Sequence, residues 1–278
     1  MESRQEFRRR IKQILDGFDP EALAYDQDEF WMIEPLYQTI EYYAGRRGLQ
    51  NTAIALPLVR GLHNGVHRKA SVMRDGVSYR LPYSFHPLMV CRMLIDMQIP
   101  LPYEERDILL AAALCHDMIE DVDFPEKGME LITRFQLDPR VYETVKYVSK
   151  RKDFTPEEEA AFLHNIEAHP LALLVKLCDR GHNVEDLYDM KLWKVHEYVD
   201  ETRTHFLPMC VYGREHYPEL QSSIDILEDK IRCLTEVAEA LVDRYHEREE
   251  EMHARVEELR ETNRRLREIF NKQWEEGL

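Results

Sequence analysis

The sequence predicts an all-α fold, a helical bundle interrupted at 70–84 by a loop or short β-hairpin and closed by one long C-terminal helix. Three observations carry this. Glycine is scarce, 10 of 278 residues, while Leu, Ala, Glu, Arg and Met are frequent, a composition rich in good helix formers. Apolar residues recur at helical spacing along most of the chain, with Pro, Gly and Asp as punctuation. The last fifty residues repeat their apolar positions every seven.

In chain order, helical periodicity is readable at 3–16, 28–45 and 51–66. Segment 70–84 departs from it, because Val72, Val77, Tyr79, Leu81 and Tyr83 alternate around Asp75-Gly76. Helices resume at 86–98 and 104–119, the latter wholly apolar from Leu109 to Leu114 and so expected to be buried, and continue at 126–136, 138–150, 156–167, 170–189 and 192–214. The last, 219–270, carries Ile224, Ile231, Ala238, Tyr245, Met252, Leu259 and Leu266 in one heptad position. Leu227, Leu234, Leu241 and Ile269 take the partner position, where Arg248, Arg255 and Thr262 interrupt it. Its first half is apolar enough to pack on a globular body, whereas its second half is highly charged. Three readings of that second half are open: self-association, a solvated extension, and a return onto the body.

The length suits one large domain or a domain with an appendage. An apolar fraction of 44% supports an ordinary core, and 53 Asp plus Glu against 37 Lys plus Arg leave a net charge of −16. Duplex nucleic acid is thereby disfavoured as a partner, since binding its backbone needs a positive face. The N-terminus lacks a signal-like apolar stretch and no window approaches 18 uninterrupted apolar residues, so a soluble cytoplasmic protein with no membrane association is expected. Cys91, Cys115, Cys178, Cys210 and Cys233 are odd in number, far apart and in apolar contexts. They read as buried thiols, not a disulfide framework or a zinc site.

Histidine and aspartate concentrate in four segments: HNGVHRK (63–69), the surroundings of His86-Pro87, LLAAALCHDMIED (109–121) and LLVKLCDRGHN (173–183). On a helix ending near Asp121, His116 and Glu120 fall one turn apart on one face, and Asp117 and Asp121 do so on the next. An ionised carboxylate against a core costs several kcal/mol unless compensated, so this helix end calls for a metal or a cationic partner. A solvated cap is the alternative, opposed by the helix dipole. Asp179 and Asn183 share a face of another apolar helix, where Lys176 or Arg180 would neutralise Asp179 without metal. His86 is either a ligand or a satisfied core histidine. Jointly, His86, His116, Asp117 and Asp179 are a nitrogen and oxygen donor set without thiolate. Such a set suits Mn, Fe, Mg or Zn with open positions, hence metal-assisted hydrolysis of a phosphoester or phosphoanhydride.

Four words in sequence then resemble a known family. PYSFHPL (82–88), ALCHDMIED (113–121) and VKLCDRGHN (175–183), preceded by HNGVHRK (63–69), are similar in order and interval to the motifs of the RelA/SpoT-family hydrolase domain. That domain is a branch of the HD superfamily of metal-dependent phosphohydrolases and removes the 3′-pyrophosphate of (p)ppGpp. The resemblance covers roughly 40–215. It implies an N-terminal helical extension at 1–40, an HD metal-dependent phosphohydrolase domain at 41–215 and a long C-terminal helix at 216–278 with coiled-coil character. It also implies His86, His116, Asp117 and Asp179 as ligands of one divalent ion, manganese in the family. Glu120 and Asp121 would orient and activate the attacking water, Arg68 and Lys69 would face nucleotide and phosphate, and Asn183 would position the ribose or the water.

The implied substrate is a guanosine or adenosine alarmone such as (p)ppGpp. With no glycine-rich phosphate loop, synthetase activity is not expected, and the architecture resembles a stand-alone small alarmone hydrolase. Val66 stands where the family has Gln, Gly181 where it has Leu and Asp186 where it has Thr. The stretch Ala70 to Leu81 is longer than the family's link, and its Arg74 and Arg80 are further phosphate-contact candidates. Two other functions stay open: an HD phosphohydrolase of other nucleotides, and a non-catalytic nucleotide sensor with the coil as output. A homo-oligomer through the C-terminal helix is the assembly these features suggest.

Overall fold

Helices carry most of the chain in the computed structural model, which describes residues 4–16, 27–118, 135–150, 153–185, 187 and 191–275. Helix α1 (Arg4–Asp16) sets Phe7 and Ile11 against Ile54, Leu58, Phe135 and Leu137. The helix expected at 28–45 is split into α2 (Gln27–Phe30) and α3 (Glu34–Arg47) by a turn at 31–33. Pro35 is the cause, since it lacks the N–H that would bond the carbonyl of Trp31 and is itself favoured in a first helical turn. Gly48, at φ 71°, ends α3 by returning its N–H to the carbonyl of Ala44.

Helix α4 (Gln50–Leu62) stops short of the expected end at 66, because the chain turns at 63–65 and enters strand β1 (His67–Arg74). Strand β2 (Val77–Pro82) pairs with it antiparallel, with Arg74 opposite Val77 and His67 opposite Pro82. Asp75 and Gly76 both have positive φ, 52° and 77°, the geometry a tight hairpin turn demands. The hairpin therefore forms, and starts three residues earlier than the alternation at 70–84 indicates. It projects outward, with most of its side chains exposed. Trp31 meets the Tyr79 ring edge-on at 5.6 Å, the Arg74 guanidinium lies 4.4 Å from the Trp31 ring, and His67 pairs with Glu29 at 2.6 Å.

The core is built around α5 (Phe85–Asp96), α6 (Tyr103–Cys115) and, after α7 (Pro139–Val148) and α8 (Pro156–Glu167), α9 (Pro170–Glu185). As expected, Leu109 to Leu114 are buried without exception. Asp138 caps α7 by accepting from the backbone N–H of Arg140 at 3.0 Å, and Thr155 with Glu158 closes a capping box on α8. The single helix expected at 192–214 runs as α10 (Leu192–Glu201), a π-helical turn at Thr202–Phe206 and α11 (Leu207–His216). The wide turn absorbs Pro208, which cannot donate into an α-helical ladder. Of the helix expected at 126–136, only Phe135 and Gln136 are among the described residues.

Helix α12 (Gln221–Glu275) starts two residues after the expected 219, behind a 3-10 turn at Pro218–Leu220, and continues beyond the expected 270. Ile224, Leu227, Ile231, Thr235, Ala238 and Val242 face the body. The heptad reading needs correction here: Leu241 and Tyr245 are 39% and 58% exposed, and Val242 is buried instead. A straight helix of 3.6 residues per turn drifts away from a strict seven-residue repeat, so its contact stripe moves by one residue over the packed length. From 243 to 268 every side chain is exposed except Glu261, so this half does not return onto the body. Cys91, Cys115, Cys178 and Cys210 are buried as expected, whereas Cys233 is exposed, off the packed stripe of α12. Among the described residues no helix is long and apolar enough to cross a membrane.

Candidate active site

Helices α5, α6 and α9 bring their polar residues together at one point of an apolar interior. His86 enters on the first turn of α5, His116 caps the C-terminus of α6 with Asp117 next to it, and α9 delivers Asp179 and Asn183. His86, His116 and Asp179 are 1%, 2% and 6% exposed. Each offers one ligand atom, and these atoms lie within 4.8 Å of one another. His86 Nε2 is 3.1 Å from Asp179 Oδ1 and 3.6 Å from Asp117 Oδ2. His116 Nε2 is 3.2 Å from His86 Nε2, 3.2 Å from Asp117 Oδ1 and 3.7 Å from Asp179 Oδ1. Two imidazole nitrogens and carboxylate oxygens facing one small volume are the donor set of a divalent cation site, and the residues fit such an ion.

Surrounding groups hold these donors in place. Tyr83 donates its hydroxyl to Asp117 Oδ2 at 2.8 Å. His116 Nδ1 donates to the carbonyl of Ala113 at 2.8 Å, which aims Nε2 inward. Asn183 donates to Asp179 Oδ1 at 2.5 Å, and Lys176 donates to Asp179 Oδ2 at 2.9 Å. Of the two cations considered for Asp179, Lys176 is thus the partner, engaging the oxygen that faces away from the imidazoles. Arg180 points elsewhere, between the rings of Tyr198 and Phe206 at 4.6 and 3.8 Å, and donates to Glu201 at 2.7 Å.

The electrostatics match a cation site. Burial alone would lower His116, but Asp117 and Asp179 overcome it and raise the ring to about 9. Burial would raise both acids, yet His116 and His86 hold Asp117 below the usual carboxylate range, and Lys176 with the two imidazoles holds Asp179 well below it. Burial lowers His86. The pair of ionised carboxylates is therefore maintained in a low-dielectric setting that favours bound positive charge.

The cluster forms one wall of a cleft of about 630 Å³ that Tyr83, Lys150, Lys176, Lys194 and Tyr198 also line. Arg68, on β1, donates to Asn183 Oδ1 at 3.2 Å, so an unbroken relay runs from Arg68 through Asn183 to Asp179. Lys69 is exposed on the strand and does not line the cleft. Arg74 engages Trp31 and Asp75 rather than the cleft, and Arg80 is exposed on β2. Glu120, Asp121 and Asp186 lie outside the described residues.

Several site residues carry no individual signal in the sequence reading. Tyr83 and His182 stand inside two of the recognised words, yet only the packing gives them partners. Lys150, Lys194 and Tyr198 sit in stretches without a motif and reach the cleft through tertiary packing alone. His63 is buried with its ring 4.8 Å from Tyr83, its Nε2 has no protein partner, and burial lowers it to about 4.

Residues 83–184 match the family described as HD domain. The chain is 27% identical over 188 residues to the bifunctional (p)ppGpp synthase/hydrolase SpoT of Escherichia coli, covering 65% of this chain and 24% of that protein. It is 27% identical over 189 residues to a guanosine-3′,5′-bis(diphosphate) 3′-pyrophosphohydrolase of Vibrio cholerae, at 63% and 25% coverage. To a GTP pyrophosphokinase rsh of Brucella ovis it is 28% identical over 154 residues, at 52% and 19% coverage. The chain thus spans about a quarter or less of the length of these relatives. The buried histidine and aspartate cluster and these matches agree: residues 83–184 are an HD domain, and the chain is similar to proteins of the RelA/SpoT type.

Proposed function

We propose that this protein is a metal-dependent nucleotide pyrophosphohydrolase that removes the 3′-pyrophosphate from a guanosine or adenosine alarmone such as (p)ppGpp. The observation that carries the reading is the convergence of His86, His116, Asp117 and Asp179 at the wall of a polar cleft. Those four would hold one divalent ion, manganese by the family resemblance. When bound, such an ion polarises a phosphoryl oxygen and lowers the pKa of water.

The chain's own residues do the rest. Lys150, Lys176 and Lys194 supply cations for a pyrophosphate group in a cleft that Asp117, Glu159, Asp179, Glu197 and Glu201 also line, so a bound divalent ion would provide the remaining positive charge. Arg68, with the bidentate fork of its guanidinium, faces the nucleotide with Lys69 beside it. Asn183, oriented by Arg68 and Asp179, positions the ribose or the water. Glu120 and Asp121 take the proton of the attacking water, a role that suits carboxylates near a metal. The working division is an extension at 1–40, the hydrolase domain at 41–215 and the long helix at 216–278, with no synthetase activity and a cytoplasmic setting.

The direct test is manganese-dependent release of pyrophosphate from ppGpp and from ppApp by the purified protein, with Asp117→Ala as control. Release by the wild type is expected, with a loss of at least about 100-fold in the variant, since a metal ligand and the charge it supplies are removed. A protein that binds manganese tightly but releases pyrophosphate from neither nucleotide refutes the alarmone reading and moves it to another HD phosphohydrolase.

A further inference from the structure

A ring nitrogen coordinates a metal only when it carries no proton, so the hydrogen bond at the other ring nitrogen decides whether an imidazole is ready to ligate. His116 is oriented for this: the carbonyl of Ala113, 2.8 Å from its Nδ1, can only accept, so Nδ1 keeps a proton and Nε2 is the nitrogen left to ligate once a cation displaces any proton there. His86 has no carbonyl in that position. Its Nδ1 lies 2.9 Å from Nδ1 of His182, and its Nε2 lies 3.1 Å from Asp179 Oδ1. Two proton placements are open. The first makes both contacts hydrogen bonds, and the second leaves two acceptors, Nε2 and Asp179 Oδ1, facing each other as a cation between them would require. In one, His86 carries its proton on Nε2, gives it to Asp179 and is blocked as a ligand. In the other, His86 donates from Nδ1 to His182, and Nε2 is free.

We infer that His182 is a positioning residue that accepts the Nδ1–H of His86 and so frees His86 Nε2 for the metal. The inference rests on His86 being a ligand, as read above. His182 is built for an accepting role. It is buried, its ring lies 4.8 Å from that of His86 at 55°, and Phe85 packs 5.9 Å away. Its Nδ1 is the atom that faces His86 Nδ1, and an imidazole with its proton on Nε2 presents a bare, accepting Nδ1. Helix α9 couples this support to the ligand set, because His182 follows Asp179 by three residues and the two side chains share one face. One helix thus supplies a carboxylate donor and the group that sets the tautomer of a donor on another.

Manganese affinity of the metal-stripped full-length protein, measured by titration calorimetry at neutral pH, tests this. The amide oxygen of asparagine falls near the position of a histidine Nδ1, so His182→Asn keeps the acceptor and His182→Leu removes it. His182→Leu is expected to bind about 10- to 100-fold more weakly, with His182→Asn recovering most of the loss and the metal-free melting temperatures of both close to wild type. Equal affinity in wild type and His182→Leu, or a His182→Asn variant as weak as His182→Leu, overturns the inference while leaving the metal site intact. A wild type that binds no divalent ion overturns the site and the inference together. A measurement without variants closes the case: long-range ¹H–¹⁵N spectra of the zinc-loaded wild type should put the His86 proton on Nδ1 and the His182 proton on Nε2, and a His182 proton on Nδ1 refutes the assignment.

Discussion

Asp107 belongs to α6 but works at the start of α4. Leu49, the residue before that helix, has no side chain able to cap it. Asp107 instead accepts from the backbone N–H groups of Asn51 and Thr52 at 2.9 and 2.8 Å, and from the Thr52 hydroxyl at 2.7 Å. Helix starts leave several N–H groups unpaired, and a buried carboxylate supplied from another helix satisfies them and complements the dipole. Asp107→Ala should therefore destabilise the protein by about 3 kcal/mol, because it strands buried donors. Asp107→Asn, which keeps one acceptor, should cost less. Chemical denaturation of both variants checks the order.

His63 gives the stability a pH dependence of definite sign. Its pKa is lowered to about 4 on folding, from 6.5, so between those values the unfolded chain binds a proton that the native state refuses. Stability from this group is complete above pH 6.5 and is lost as pH falls towards 4. Its share between pH 7 and pH 5 is about 2 kcal/mol. In His63→Phe, urea unfolding at the two pH values should show a correspondingly smaller difference than in wild type, and an unchanged difference refutes the assignment. Neither residue is conspicuous in the sequence. Asp107 reads as an ordinary acid near a helix start, and the burial that perturbs His63 depends on Tyr83, twenty residues away in the hairpin's exit. The ligand candidates are legible because each stands in a short word at a helix end, where local sequence and chemistry coincide.

At the scale of elements, local signals are read well and handovers between elements are not. Asp75-Gly76 declares the hairpin turn, and both residues take the positive φ that the dipeptide favours. The end of α4 and the π-turn before α11 escape, since apolar periodicity runs on through a turn at 63–65 and through Pro208 without a visible break. The register of α12 escapes for another reason: the sequence shows which half is apolar enough to pack, but a straight helix drifts from a strict seven-residue repeat, so Val242 is buried in place of Leu241 and Tyr245. Two truncations make this measurable. Ile231→Ala opens a cavity in the core and should cost about 2–4 kcal/mol. Leu259→Ala, on the exposed half, should stay within about 0.5 kcal/mol in the monomer. A large loss for Leu259→Ala that grows with protein concentration would instead reveal self-association through this helix.

For the whole molecule, the arrangement separates chemistry from reach. The cleft lies among α5, α6, α9 and α10, close to the hairpin's base, whereas the exposed half of α12 stands clear of all of them. The site comes together from segments nearly 120 residues apart, as with Arg68 and Asn183. Their meeting is expected from the family likeness but has no counterpart in spacing or periodicity. The charged surface of α12, with ion pairs such as Arg255 to Glu258 and Arg264 to Glu261 along it, supports a helix that stands in solvent.

The length of α12 has a hydrodynamic consequence. Residues 243–268 form a rod about 40 Å long at the helical rise per residue. That is comparable with the diameter of the body, whose expected radius of gyration is about 19 Å for a compact chain of this length. A particle of this outline experiences more drag than a sphere of 33.2 kDa. It will emerge early from a sizing column and tumble anisotropically even as a single chain. An elution volume would thus mimic a dimer, and light scattering, which reads mass independently of shape, is the measurement that counts the chains.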